Sequence, residues 1–128
     1  MQNLLTSLGR GLAFLGLIRR PDFFCVEIAD HPEDAAIKAG MIYIVRSGAH
    51  HKWAYLRCPD APDEVIQLSL MKERRPNWEV ESDLFGRPTL SPSVRQLSGS
   101  RAHFWLRRGR VDRCPDHLRG PVARTGHA

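Results

Sequence analysis

Lys52-Trp53-Ala54-Tyr55-Leu56-Arg57 and, six residues further on, Glu64-Val65-Ile66-Gln67-Leu68-Ser69-Leu70 decide the class of fold. The first run has the period of two of a half-buried strand, and the second is an apolar, β-branched run of strand length. Between them stands Cys58-Pro59-Asp60-Ala61-Pro62-Asp63, which is turn chemistry. Two strands joined by such a turn predict an antiparallel hairpin.

Upstream, Met41 to Val45 is a further apolar run, separated from the hairpin by Ser47-Gly48. Phe23 to Ile28 reads as another strand, with Phe23, Cys25 and Glu27 on one side and Phe24, Val26 and Ile28 on the other. His31-Pro32-Glu33-Asp34 opens a short helix that Gly40 stops. Leu4, Leu5, Leu8, Leu12, Leu15 and Ile18 recur at helical spacing and predict an amphipathic helix, ended by Arg19-Arg20-Pro21, that caps the core. Arg10 interrupts this stretch, which also lacks a basic leader and a small-residue cleavage site, so it does not read as a signal peptide. It is too short and broken to read as a membrane span.

Downstream, Met71 to Pro76 reads as a basic loop and Trp78 to Glu81 as a strand. Gly86-Arg87-Pro88 is a turn, and the proline-broken Thr89 to Val94 suits a loop or an edge strand. Ala102 to Leu106 and Arg110 to Cys114 predict a second hairpin across Arg108-Gly109. The expectation is a mainly β (α+β) protein with a small antiparallel sheet or partly open barrel. Its parts would be an N-terminal helix over 1–20, one β-rich domain over 21–114, and a basic, disordered tail over 115–128.

At 128 residues, with 42% hydrophobic and 26% charged, the chain supports one core and is not globally disordered. Its three cysteines, Cys25, Cys58 and Cys114, are too few and too widely spaced for a disulfide framework and fit a reducing cytoplasm. Net charge is +5, and the excess lies after residue 94, in Arg95, Arg101, Arg107, Arg108, Arg110, Arg113, Arg119 and Arg124. This arginine-rich third is a solvated basic face or, in a rival reading, the surface of a non-enzymatic adaptor for an acidic partner or nucleic acid. No nucleic-acid motif accompanies it.

Three constellations bear on chemistry. Cys58, His103 and Cys114, with Asp60 or Asp63, have zinc-ligating atoms but no CxxC-type pair, and read equally as packing residues at strand ends. Ser93 and His103 have the residue types of an activated nucleophile, in which an imidazole takes the serine's proton. His50-His51 beside Lys52 cannot share a site if extended, because neighbours point to opposite faces, and reads as solvated loop.

The hairpin run, together with Gly86-Arg87-Pro88-Thr89-Leu90-Ser91-Pro92-Ser93-Val94 and His103-Phe104-Trp105-Leu106-Arg107-Arg108-Gly109-Arg110-Val111, resembles the BubD-like serine proteases of bacterial ubiquitination-like operons. The resemblance runs from about Phe23 to Cys114. It implies a Ser-His dyad with Ser93 as nucleophile and His103 as general base, and a ubiquitin-like protein, as precursor or conjugate, as partner. Ser91 is the competing nucleophile. Asp112, on the strand neighbouring His103 in the expected hairpin, is the candidate to orient the imidazole, and backbone N–H groups are the expected oxyanion donors. Some relatives carry a Cys-Pro-Cys-Gly-Cys turn where this chain has Cys58-Pro59-Asp60-Ala61-Pro62, and a cysteine where it has Ser100. No metal or cofactor, and no membrane partner, is therefore expected.

Overall fold

The alternation at 52–57 places Ala54, Leu56 and Cys58 on one buried face, opposite Leu68 and Ile66 of the partner strand. The computed structural model of the chain describes residues 2–14 and 21–117. Its elements are helix α1 (Gln2–Phe14), β1 (Phe24–Ile28), a 3-10 turn (Asp34–Ala36), β2 (Met41–Ser47), β3 (His50–Cys58) and β4 (Ala61–Ser69). They continue with β5 (Glu79–Ser82), β6 (Pro88–Arg95), β7 (His103–Arg107) and β8 (Arg110–Arg113).

The strands form two four-stranded sheets, ordered β1-β2-β3-β4 and β5-β6-β7-β8, and no closed barrel. All neighbours are antiparallel except β1 and β2, which run parallel. The mainly β class read from the sequence is therefore the observed one. Phe23, Cys25, Ile42, Ile44, Leu56 and Ile66 of the first half join Leu90, Val94, Phe104 and Leu106 of the second in a single core cluster. Burying such side chains stabilises the fold by about 1.5–3 kcal/mol each. Backbone bonds also cross between the halves. The Phe23 N–H donates to Gly109 O (2.8 Å) and the Cys25 N–H to Gly86 O (3.0 Å).

The β7–β8 turn explains one of these crossings. Arg108 and Gly109 both have positive φ, 48° and 78°, as a two-residue hairpin turn twisted with its strands requires. A Cβ at Gly109 would stand 2.5 Å from Phe23 O, so this glycine is also what lets β1 approach.

Two expectations are corrected. Residues 89–94 are not a loop or edge, because β6 lies inside its sheet between β5 and β7. Leu90 and Val94 are both 1% exposed and carry it into the core, while Pro92 falls in a register irregularity, where its missing N–H removes no regular ladder bond. His50 and His51 open β3 rather than forming loop; His51 Nε2 meets Glu27 Oε2 at 3.0 Å, with Arg46 on the other carboxylate oxygen. Helix α1 lies against β1, and its Leu8 is half exposed. Asn3 Oδ1 accepts from the Glu27 N–H (2.9 Å), and the buried Thr6 hydroxyl bonds Cys25 O. The expected helical stretch at 15–20 and the tail at 118–128 lie outside the described residues.

Candidate functional site

Ser93 owes its position to the irregularity in β6. Leu90 pairs with Leu106 and Val94 with Phe104, so β6 spends two more residues than β7 over this stretch. The surplus carries Ser91, Pro92 and Ser93 between two core anchors. Ser91 and Pro92 are exposed, and Ser93 is half-buried. Ser91 pairs with Glu79 on the β5 side. The Ser93 carbonyl accepts a bond from Trp78 Nε1 at 3.2 Å, which holds the segment from the other flank.

His103 is the first residue of β7, and its ring is mostly covered, with 19% of the side chain exposed. Its Nε2 lies 3.2 Å from Ser93 Oγ, within the reach that proton transfer between a nucleophile and its base requires. Its Nδ1 lies 2.6 Å from Asp116 Oδ1. Asp116 also receives Arg95 Nη2 on its second oxygen, at 3.2 Å. The hydrogen bond from His103, aided by the nearby Arg95 charge, holds the Asp116 carboxyl below its ordinary range. An ionised carboxylate only accepts, so the imidazole proton sits on Nδ1 and the Nε2 lone pair faces the serine hydroxyl. This tautomer can take the Ser93 proton.

Asp112, the orienting carboxylate expected from the sequence, is not in this chain of bonds. Its Oδ2 accepts from Arg107 Nη1 at 2.7 Å on an exposed surface. Trp105 and Asp112 are paired in the β7–β8 register, so Asp112 lies two residues along the strand from His103. Asp116 escaped the reading because it lies past Cys114, in a segment without apolar periodicity. The signal available was its single acid followed by His117.

That segment is held. The His117 N–H donates to Cys114 O (2.9 Å), closing a turn, and the Cys114 N–H donates to His103 O (2.9 Å). The His117 side chain is only 6% exposed and meets Phe104 edge-on, with ring centroids 6.0 Å apart. Residues 115–117 thus pack on the β7 end, beyond the boundary at 114 expected from the sequence.

The zinc candidates do not converge. Both His103 ring nitrogens are engaged, as above, and Cys58 is buried with its Sγ 3.9 Å from Ser100 Oγ. Among the described residues no group of three or more His, Cys, Asp or Glu is placed to hold a metal ion. None of the three cysteines forms a disulfide, and burial with the nearby Asp116 and Asp112 charges pushes the Cys114 thiol up.

Several of the arginines that made the C-terminal third basic are compensated. Arg95 pairs with Asp116, Arg107 with Asp112 and Arg113 with Asp60. Arg107 also lies over the Trp105 ring, 4.6 Å from its centroid. No helix among the described residues is long and apolar enough to cross a membrane.

A groove of about 320 Å³ is walled by Trp53, Trp78, Arg74 and Arg75 among others; neither Ser93 nor His103 lines it, and its link to Ser93 is Trp78, whose indole bonds the Ser93 carbonyl. A larger cavity of about 520 Å³, lined by His50, His51, Met71 and Lys72 among others, does not include Ser93 or His103.

No curated protein and no solved structure matches the chain. The model of one protein family does, over residues 28–114, so the match includes Ser93 and His103 and stops two residues short of Asp116. It is the BubE model, where the sequence motifs resembled BubD-like relatives. The chain belongs to the family described as bacterial ubiquitination-like system serine protease (BubE).

Proposed function

We propose that the chain is a serine peptidase in which Ser93, His103 and Asp116 act as one unit on the C-terminus of a bacterial ubiquitin-like protein. The observation that carries the reading is the continuous line of contacts from Ser93 Oγ to His103 Nε2 (3.2 Å) and from His103 Nδ1 to Asp116 Oδ1 (2.6 Å). Membership of a serine-protease family from a ubiquitination-like system supports a ubiquitin-like substrate.

Ser93 Oγ attacks the acyl carbon while its proton passes to His103 Nε2, and Asp116 stabilises the imidazolium that forms. The tetrahedral intermediate collapses as His103 returns the proton to the leaving group, which departs. Water then repeats the sequence on the acyl-enzyme, with His103 again as base, and frees the new carboxylate. The substrate chain approaches over exposed Ser91 and Pro92, and its acyl-side residues reach the groove walled by Trp78, whose indole bonds the Ser93 carbonyl. The same chemistry serves maturation of a precursor and release from a conjugate.

The reading is tested with a ubiquitin-like precursor that carries a C-terminal extension, its products read by mass spectrometry. A single cut at the end of the ubiquitin-like domain, absent from an unrelated protein bearing the same extension, is the expected result. Equal cleavage of both, or of neither, would reject it.

A further inference from the structure

We infer that Asp60, remote in sequence and on the other sheet, is a positioning residue that sets the Asp116 carboxylate against His103. The inference rests on the reading of Ser93, His103 and Asp116 as a catalytic unit.

Asp60 lies in the turn between β3 and β4, whereas its partners belong to the end of β8 and the turn after it. Its Oδ1 accepts from Arg113 Nη2 at 2.9 Å, and its Oδ2 receives both Arg113 Nε and, at 2.7 Å, His117 Nε2. One carboxylate therefore grips the chain on both sides of Asp116. On the far side of the ring, His117 Nδ1 lies 3.0 Å from both the backbone N and the backbone O of His103, so the ring meets the backbone of the general base in either tautomer. The imidazole thus extends the β7–β8 ladder beyond Phe104 and Arg113, the last paired residues at that end.

Asp60 consequently fixes two things through His117: the backbone of the general base and the turn that presents Asp116. Asp116 itself is about one-third exposed, and among the described residues its other carboxylate oxygen meets the half-exposed Arg95. Such an exposed pair holds a carboxylate weakly. The clamp is on the covered side, where His117 is 6% exposed and packs on Phe104. Misplacing a catalytic group by about 1 Å can cost about 100-fold in rate, which makes the clamp consequential without its touching substrate.

The test uses the full-length chain and needs no natural substrate. An alkyl fluorophosphonate reports serine activation: Ser93 Oγ bonds phosphorus, fluoride leaves, and His103 takes the proton. Proton NMR reports the other link, because an imidazole N–H held by a carboxylate gives a far-downfield resonance, and its loss in Asp116→Ala identifies the one that belongs to His103 Nδ1–H rather than to His117 on Asp60. Asp60→Ala and the isosteric Asp60→Asn are compared with wild type and with Asp116→Ala. In Asp60→Asn the expected results are labelling slowed about 10- to 100-fold and a weakened or shifted downfield proton, with the cooperative melt retained. In the Asp116→Ala background, Asp60→Asn should add much less slowing than it does in wild type, since only the contact of His117 with the His103 backbone is then left for it to disturb. Unchanged labelling and an unchanged downfield proton in Asp60→Asn would overturn the inference, as would costs that multiply in the double variant. If wild type is not labelled at all, the peptidase reading fails. The downfield proton then decides the positioning of Asp116 by itself, its loss in Asp60→Asn supporting the clamp and its persistence rejecting it.

Discussion

Asp116 Oδ1 and His103 Nδ1 stand 2.6 Å apart across the end of β7, and this contact converts a serine–histidine pair into a chain of three. It also fixes which ring nitrogen of His103 faces Ser93. Asp116→Ala should therefore lower kcat by about 10²- to 10⁴-fold with little change in KM, because the group acts on the transition state rather than on substrate binding. Asp112→Ala, which removes only a partner of the exposed Arg107, should keep most activity. Steady-state kinetics on the two variants decides between the carboxylates; the reverse order of damage would return the role to Asp112.

Truncation after Cys114 should abolish activity. The cut removes Asp116 and, with it, His117, whose ring bonds the His103 backbone and covers Phe104. The sequence alone reads as a disordered tail from residue 115, whose removal leaves the fold intact. Cleavage by a chain ending at Cys114 at the wild-type rate would restore that boundary.

Acid should weaken the fold through identifiable carboxylates. Arg113 and His117 hold Asp60 below its ordinary range, His103 does so for Asp116, and hydrogen bonds from Arg87 and Phe85 outweigh burial to do so for Asp83. A carboxyl group depressed in the folded state adds stability above its unfolded pKa, about 3.9 for Asp, and that stability is lost as pH falls through the lower folded value. Denaturant unfolding from about pH 5 downward should thus show a falling free energy, with a shallower slope in Asp60→Asn. Equal slopes in variant and wild type would contradict this.

Trp78→Phe should be mild in stability and larger in activity. The substitution removes the indole N–H that bonds Ser93 O at 3.2 Å, at a cost of about 0.5–1.5 kcal/mol. The half-buried ring is otherwise kept. Thermal melting and kcat together check the expectation; a lowered melting temperature with full kcat would show that Trp78 supports the fold alone.

The sequence made the hairpins legible because their side chains obey the period of the sheet. Ala54, Leu56 and Cys58 alternate inward with no exception, and Arg108-Gly109 has the chemistry of a two-residue turn. Thr89 to Val94 misled because Pro92 signals a break, and only the pairing of Leu90 and Val94 with β7 shows the break to be an irregularity inside a strand. Ser93 and His103 could be singled out through family motifs, and the fold brings the two together. Asp116 and Asp60 could not be found in that way. Their roles depend on a turn packing back onto β7 and on one sheet reaching the other, and neither leaves a periodic trace in the chain.

The account stands most directly on the hydroxyl of Ser93, and the rate of precursor cleavage by Ser93→Ala is the measurement that tests it. The account predicts no detectable cleavage, an unchanged melting temperature, and a Ser93→Ala/His103→Ala double variant scarcely worse than either single one. Ser91→Ala, at an exposed residue paired with Glu79 of β5, should retain most of the wild-type rate. Full activity in Ser93→Ala would contradict the account, and a dead Ser91→Ala beside it would move the nucleophile two residues along β6.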